Sequence, residues 1–370
     1  MADAIVKGIG DDFGYDEPGN MLAAQLKANL YQFSGAKSLT ESLLFAQQIT
    51  DEKGNIKPFN QYRDDIEKIH QNYNVRYLSA EYDNAIASAQ MGLKWRNYED
   101  IGVEWLEYRT AGDARVRPEH AKLDGLVLRF DSPVWSRGFP PLDWGCRCTT
   151  VPADKPTTPT DENEAGKLVK QIVTNPVFEN NVGKTGLVYK DNHPYFKAID
   201  GKLKELDAIK NYGLKPVDKM LENPKLPTAI HTDSEADYLK WWDDMVKQFG
   251  VNKSDFVLTD KLGTKVVFDA TANGKNKFDY FRDHILQKTK EKRYEFATNL
   301  RDIMENPDEI WSVNYLGKVP TMTYIKYYDG QAIVINATIG KTKVKAETMF
   351  VLDNAKSKID NRKGILMYKK

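Results

Sequence analysis

Past Asn306-Pro307 the hydrophobic period of this chain changes, and that change limits what each part can fold into. Upstream, apolar residues mostly recur at helical spacing; downstream they alternate. Ile310 to Tyr315, Met322 to Tyr328, Gln331 to Thr338, Lys343 to Leu352 and Gly364 to Lys369 all read as strands. Asp329-Gly330 between two of them predicts a hairpin with a two-residue type I′ turn, which needs positive φ at both positions. Before the switch, Asp233 or Ser234 can cap a helix with the stripe Tyr238, Leu239, Trp242, Met245, Val246, Phe249, stopped by Gly250. Phe256 to Val267 reads as one or two short strands, and Phe278 to Leu286 and Lys290 to Met304 read as helices. Helices followed by an antiparallel meander make an α+β domain over residues 231–370.

The first hundred residues are helical by the same test. Met21 to Phe33 and Leu39 to Gln48 carry apolar stripes, Asp51 to Asn55 is a turn, and Phe59 to Met91 gives a long helix. With 370 residues the chain is too long for one core, and two or three domains are expected. Pro152, Pro156 and Pro159, interleaved with threonines, predict a stiff linker. The expected division is a mainly α domain over 1–150, a connector over 151–230 with no fold assigned to 166–230, and the α+β domain over 231–370.

Charge is balanced overall but not along the chain. Residues 251–370 hold 22 Lys+Arg against 15 Asp+Glu, a balance of +7, so the first 250 carry −7. A basic final third fits a polyanionic partner, or simply a solvated face. No run of 18 apolar residues indicates a membrane span, and Met1 to Tyr15 lacks the basic start and apolar stretch of a secretion signal. The two cysteines, Cys146 and Cys148, are too close in sequence to bridge each other readily, which fits a reducing compartment.

Those cysteines close the densest motif. From Tyr108 the chain reads Tyr-Arg-Thr-Ala-Gly-Asp-Ala-Arg-Val-Arg-Pro-Glu-His, then Leu123-Asp124-Gly125, Trp135, Pro140-Pro141 and Trp144-Gly145-Cys146-Arg147-Cys148. Pro118 suits the first position of a short helix and Gly125 its end. In an extended strand Cys146 and Cys148 face one way and Arg147 the other. Asp113 and His120 with the two thiolates would complete a tetrahedral zinc site. The plainer alternatives are two small residues packed beneath Trp135 and Trp144, and a polar network of Asp113, Arg115, Arg117 and Asp124 holding an irregular loop.

The run from Tyr108 to Cys148 resembles the signature of the phage Mu F-like minor head protein (head morphogenesis) family. Asn20 to Ala23, Tyr31 to Ser34, Ala80 to Met91 and Asn181 to Tyr195 extend the resemblance over roughly residues 18–200. It implies a virion protein near the portal, with phage portal and capsid proteins as partners and no catalysis in this half. Residues 231–370 resemble, more loosely, the phage-type branch of the barnase, EndoU, colicin and RelE-like nucleases. That resemblance rests on His284 and Arg293 on successive helices, Asn306 to Trp311, Tyr324 to Tyr328, Glu347 to Phe350 and Arg362 to Tyr368. It implies a metal-independent endoribonuclease effector acting on RNA in the virion's host cytoplasm, with no cofactor for catalysis.

Cleaving RNA without metal needs proton-transfer groups and cations at the phosphate. The residue types point to His284 as base or acid, with Arg293, Thr348 and Lys326 completing the catalytic set and Arg362 and Lys363 binding phosphate. Tyr324 and Tyr328, on the strand face with Lys326, would stack on bases or simply pack. The rival readings are a purely structural head protein whose last domain binds portal, scaffold or nucleic acid, and a zinc-dependent enzyme built on Asp113, His120, Cys146 and Cys148.

Overall fold

The computed structural model describes residues 8–10, 13–157, 160–199, 212–270, 280–288, 291–313, 319–353 and 362–370. Pro159, the helix starts at Phe278 and Lys290, and the strand end at Tyr315 lie outside the described residues. The chain forms two compact units, one of residues 1–10 and 29–201, the other of 11–28 and 202–370. The unit boundary therefore differs from the expected division at 150 and 230. Residues 160–199 are part of the first unit, where Val169, Phe178, Tyr189 and Tyr195 are buried.

In the first unit, Met21 to Gln48 becomes one helix, α1 (Pro18–Gln47), of which residues 29–47 belong here. Helix α2 (Phe59–Gln71) passes through a π-helical turn, Asn72–Tyr77, into α3 (Leu78–Asp100). Phe33 of α1 stacks on Tyr189 at 3.9 Å between ring centres. The buried Glu81 of α3 pairs with Lys37 at 2.5 Å and accepts a hydrogen bond from the Tyr195 hydroxyl at 2.7 Å. A buried carboxylate is tolerable only with such partners. After α3 come a small antiparallel sheet and a helical turn. Strand β1 (Trp105–Arg109) precedes the turn α4 (Pro118–Ala121), strand β2 (Val127–Arg129) and strand β3 (Thr149–Pro152). β1 lies between the other two strands. Pro118 opens α4 as its position predicts, and Gly125 takes φ +78°.

The second unit is built on a seven-stranded sheet. Helix α5 (Glu235–Phe249) is capped by the Ser234 hydroxyl, which accepts from Asp237 N, and ends at Gly250, where a Cβ would lie 2.2 Å from the Val246 carbonyl oxygen. Strands β4 (Phe256–Thr259) and β5 (Lys265–Phe268) follow, then α6 (Phe281–Gln287). The expected helix from Lys290 is instead a 3-10 segment, Arg293–Asn299, running into α7 (Leu300–Glu305). Lys292 just before it takes φ 44°, which breaks any continuous α-helix there. Strands β6 (Glu309–Val313), β7 (Thr321–Tyr328), β8 (Gln331–Ile339), β9 (Val344–Asp353) and β10 (Ile365–Lys369) complete the unit.

The sheet order is β10-β6-β7-β8-β9-β5-β4. β6 to β9 form the expected antiparallel meander, but β10 returns to pair with β6, and β5 joins β9 in parallel. Only Gly330 of the β7–β8 turn has positive φ, +69°, so the turn is not type I′; the Asp329 N–H is held by the Pro227 carbonyl. One sheet face carries Trp311, Ile325, Tyr327, Ala332, Val334 and Leu352, and Leu214, Val217 and Leu221 close over it. The segment left without a fold thus supplies the lid of a core. No described helix is long and apolar enough to cross a membrane.

Candidate active site

Three side chains far apart in sequence meet on β9. His284 Nε2 lies 3.2 Å from Thr348 Oγ1, and Arg293 Nη1 donates to the same hydroxyl at 2.9 Å. The Thr348 hydroxyl, one donor with two acceptor lone pairs, therefore bridges the guanidinium and the imidazole. All three residues are half-buried.

Packing explains the convergence. Phe281 of α6 sits edge-on to Phe268 at 5.0 Å, and Phe268 stacks on Phe256 at 5.1 Å. With Phe281 and Ile285 fully buried, His284 is turned to the half-exposed side of the helix. The buried carboxylate of Asp269 ties the helix start to β9. It accepts from Phe281 N at 2.9 Å and pairs with Lys345 at 3.3 Å. On β9 a bulge leaves Glu347 as the extra residue, since Asn336 faces Thr348 while Ala337 faces Ala346. Such a bulge re-aims the side chain beside it, here Thr348.

Arg293 is held from its other side by Glu291, whose Oε2 lies 2.6 Å from Nη2 and 2.7 Å from Nε. Its guanidinium lies 5.9 Å from the Phe350 ring centre. Thr348 also heads a polar row across the sheet. Asn336 faces it on β8, and Asn336 Oδ1 accepts from the Thr323 hydroxyl of β7 at 2.9 Å. Sequence reasoning missed Glu291, Asp269, Thr323 and Asn336. Glu291 is hidden in a charged Glu-Lys-Arg run, and the polar row follows only from strand register.

Lys326, Arg362 and Lys363 stand elsewhere. Lys326 is buried, donating to the Asn306 carbonyl at 2.6 Å and pairing with Asp302 at 3.1 Å. Its strand face is covered by α7, so Tyr324 and Tyr328 are buried as well, with hydroxyls bonded to Asp260 and Asp302. Of the two readings of Tyr324 and Tyr328, stacking on bases or packing, the buried rings follow the second. Arg362 is also buried, gripping Glu309 through Nε at 2.8 Å and Nη2 at 2.5 Å and donating to the Tyr327 hydroxyl at 2.7 Å. It is committed to a carboxylate and has no hand free for phosphate. Lys363 is exposed at the entry to β10. β10 lies four strand spacings from β9 in the sheet. At about 4.8 Å per strand that is roughly 19 Å, too far to share one phosphate with Thr348.

In the first unit, His120, Cys146 and Cys148 are drawn together and buried. Asp113 is not with them. It receives a two-pronged contact from Arg147, at 2.6 and 2.7 Å, which holds its carboxyl far below the usual carboxylate range. Cys146 and Cys148 point inward and Arg147 outward, as alternation predicts. Asp124 accepts from Thr110 N and Oγ1, so the polar network and the thiol cluster coexist.

Comparison with known proteins divides along the same lines. Residues 47–151 match the family model of phage Mu protein F like proteins, and residues 244–369 match the model described as phage-Barnase-EndoU-ColicinE5/D-RelE like nuclease2. His284, Arg293 and Thr348 fall inside the second match. The Mu-like prophage FluMu F protein of Haemophilus influenzae is 46% identical over 41 residues, 11% of this chain and 10% of that protein. The putative capsid assembly protein F of Escherichia phage Mu is 40% identical over 52 residues, 14% of this chain and 12% of that protein. The chain thus spans about a tenth of the length of these curated relatives. No solved structure matches it.

Proposed function

We propose that this chain is a phage head protein, carried in the virion beside portal and capsid proteins, whose second unit is a metal-independent endoribonuclease. The head assignment is supported by the Mu F-like match. The observation that carries the catalytic reading is the meeting of His284, Arg293 and Thr348 from a helix, a 3-10 segment and a bulged strand.

The chemistry is an attack of the ribose 2′-oxygen on the adjacent phosphorus with departure of the 5′-oxygen. Arg293 and the Thr348 hydroxyl donate to the non-bridging oxygens, where negative charge builds in the transition state. Glu291 and His284 flank them as the two proton-transfer groups. Glu291 accepts the 2′-hydroxyl proton, and His284, protonated beside the phosphate, returns a proton to the leaving oxygen. Among the described residues, no group of three or more metal-ligating side chains gathers here.

The test is incubation of the full chain with labelled RNA in excess chelator. Products ending in a 2′,3′-cyclic phosphate, abolished by His284→Ala, support the reading. Intact RNA at every pH, with salt-dependent binding, favours the structural alternative in which the basic final third grips nucleic acid, portal or scaffold.

A further inference from the structure

The thiol cluster of the first unit lies outside the proposed nuclease site and has the geometry of a metal centre. His120 Nδ1 lies 3.6 Å from Cys146 Sγ and 3.8 Å from Cys148 Sγ. With zinc–sulfur bonds of about 2.3 Å and a zinc–nitrogen bond of about 2.05 Å, the N···S edge of a tetrahedron is about 3.6 Å. All three side chains are more than nine-tenths buried. Hydrogen-bonded thiols alone would not need an imidazole placed equally close to both.

Two further observations point inward. Beside the three donors is a cavity of about 10 Å³, also lined by Arg115, Arg117 and Arg147. That is room for about one water-sized occupant. The Tyr108 hydroxyl is buried, has no well-formed hydrogen bond among the described residues, and lies against the thiols, Cys148 above all. A phenol hydroxyl placed there can donate to a thiolate.

We propose that His120 Nδ1, Cys146 Sγ and Cys148 Sγ bind one zinc ion, with water as the fourth ligand and Tyr108 donating to the Cys148 thiolate as a positioning residue. Both thiols release their protons to solvent as the ion binds. Two thiolates neutralise the ion. Arg147 and Arg117, fixed by Asp113 and Asp143, keep the surroundings favourable to anionic sulfur. The ion joins α4 to the segment entering β3, fixing a loop that has little regular structure of its own.

The experiment is metal analysis of the reduced full chain, followed by replacement with cobalt. One zinc per chain is expected, with a sulfur-to-cobalt charge-transfer band that falls by about half in Cys146→Ser and in Cys148→Ser as one of two thiolates is lost. Tyr108→Phe should keep the stoichiometry but bind zinc about 10–100-fold more weakly. A folded wild-type chain that takes up neither ion overturns the site, as does zinc retained undiminished by the double serine variant. If the serine variants fail to fold, the wild-type cobalt spectrum still decides, because a band without sulfur character also overturns it. None of these outcomes depends on nuclease activity.

Discussion

The Thr348 hydroxyl and the His284 imidazole lie 3.2 Å apart although 64 residues separate them in the chain. A β-strand threonine and a helix histidine are ordinary residues taken singly. Their contact, closed from the other side by Arg293, makes the site. Removing the imidazole in His284→Ala should cut RNA cleavage by about 10²–10⁴-fold with little change in melting temperature, since the ring is half-buried. Thr348→Val should lower kcat and leave the strand intact, because valine suits a strand equally well. Full activity in both variants, read by RNA cleavage under chelation, would remove these residues from the mechanism.

Arg362 and Glu309 should behave as structural residues. Both are buried and joined by two hydrogen bonds, with Tyr327 and Trp311 also donating to the carboxylate. Arg362→Ala leaves that carboxylate uncompensated and should cost about 3–5 kcal/mol. Lys363→Ala, on an exposed neighbour, should fall within about 0.5 kcal/mol of the parent. Denaturant melts of the two variants check the contrast. Comparable losses would show that the pair is not what holds β6 to the segment before β10.

A fragment beginning at residue 231 should be unsound. It lacks Leu214, Val217 and Leu221, which cover Trp311, Ile325 and Val334 on the sheet. Each fully buried aliphatic side chain contributes about 1.5–3 kcal/mol, so several kcal/mol are lost. It also lacks Asn20, whose side chain bonds both the N–H and the carbonyl of Lys265 on β5. Circular dichroism melts should show the fragment from 231 melting well below the full chain's corresponding transition. An equal midpoint would mean that the sheet face needs no such cover.

The first unit should lose stability in mild acid through His193. Burial lowers its pKa from 6.5 to about 4, with Lys37 adding to the shift. Between those values the unfolded chain binds a proton that the folded one does not, so stability falls as pH drops from about 6.5 to about 4. The full effect is on the order of 3 kcal/mol. His193 also caps a helical turn by accepting from Tyr195 N, so His193→Asn keeps a capping acceptor. The stability of this variant should depend less on pH across that window; an unchanged slope would assign the acid sensitivity to other groups.

Local pattern was readable at several points. The switch to period two announced β6 to β9, Ser234 and Gly250 bounded α5, and the alternation Cys146-Arg147-Cys148 gave the direction of each side chain. The failures share one cause. Alternation puts Lys326 on one side with Tyr324 and Tyr328 but does not say whether that side is covered, so a buried lysine passes for a catalytic one. Arg362 looked like a phosphate ligand because a cation's partner across 53 residues leaves no trace in the local pattern.

By itself, then, the sequence determined the meander strands, the bounds of α5, the hairpin position and the inward pair of thiols, since these depend on neighbours within a turn or a strand. Only the tertiary structure decided that β10 crosses to β6, that residues 212–226 roof the sheet, and which charges are buried or left at the surface. Those outcomes follow from long-range packing, where burial makes a charged side chain seek whatever partner the fold brings within reach. The same packing brings His284, Arg293 and Thr348 together and leaves Lys326 in the core.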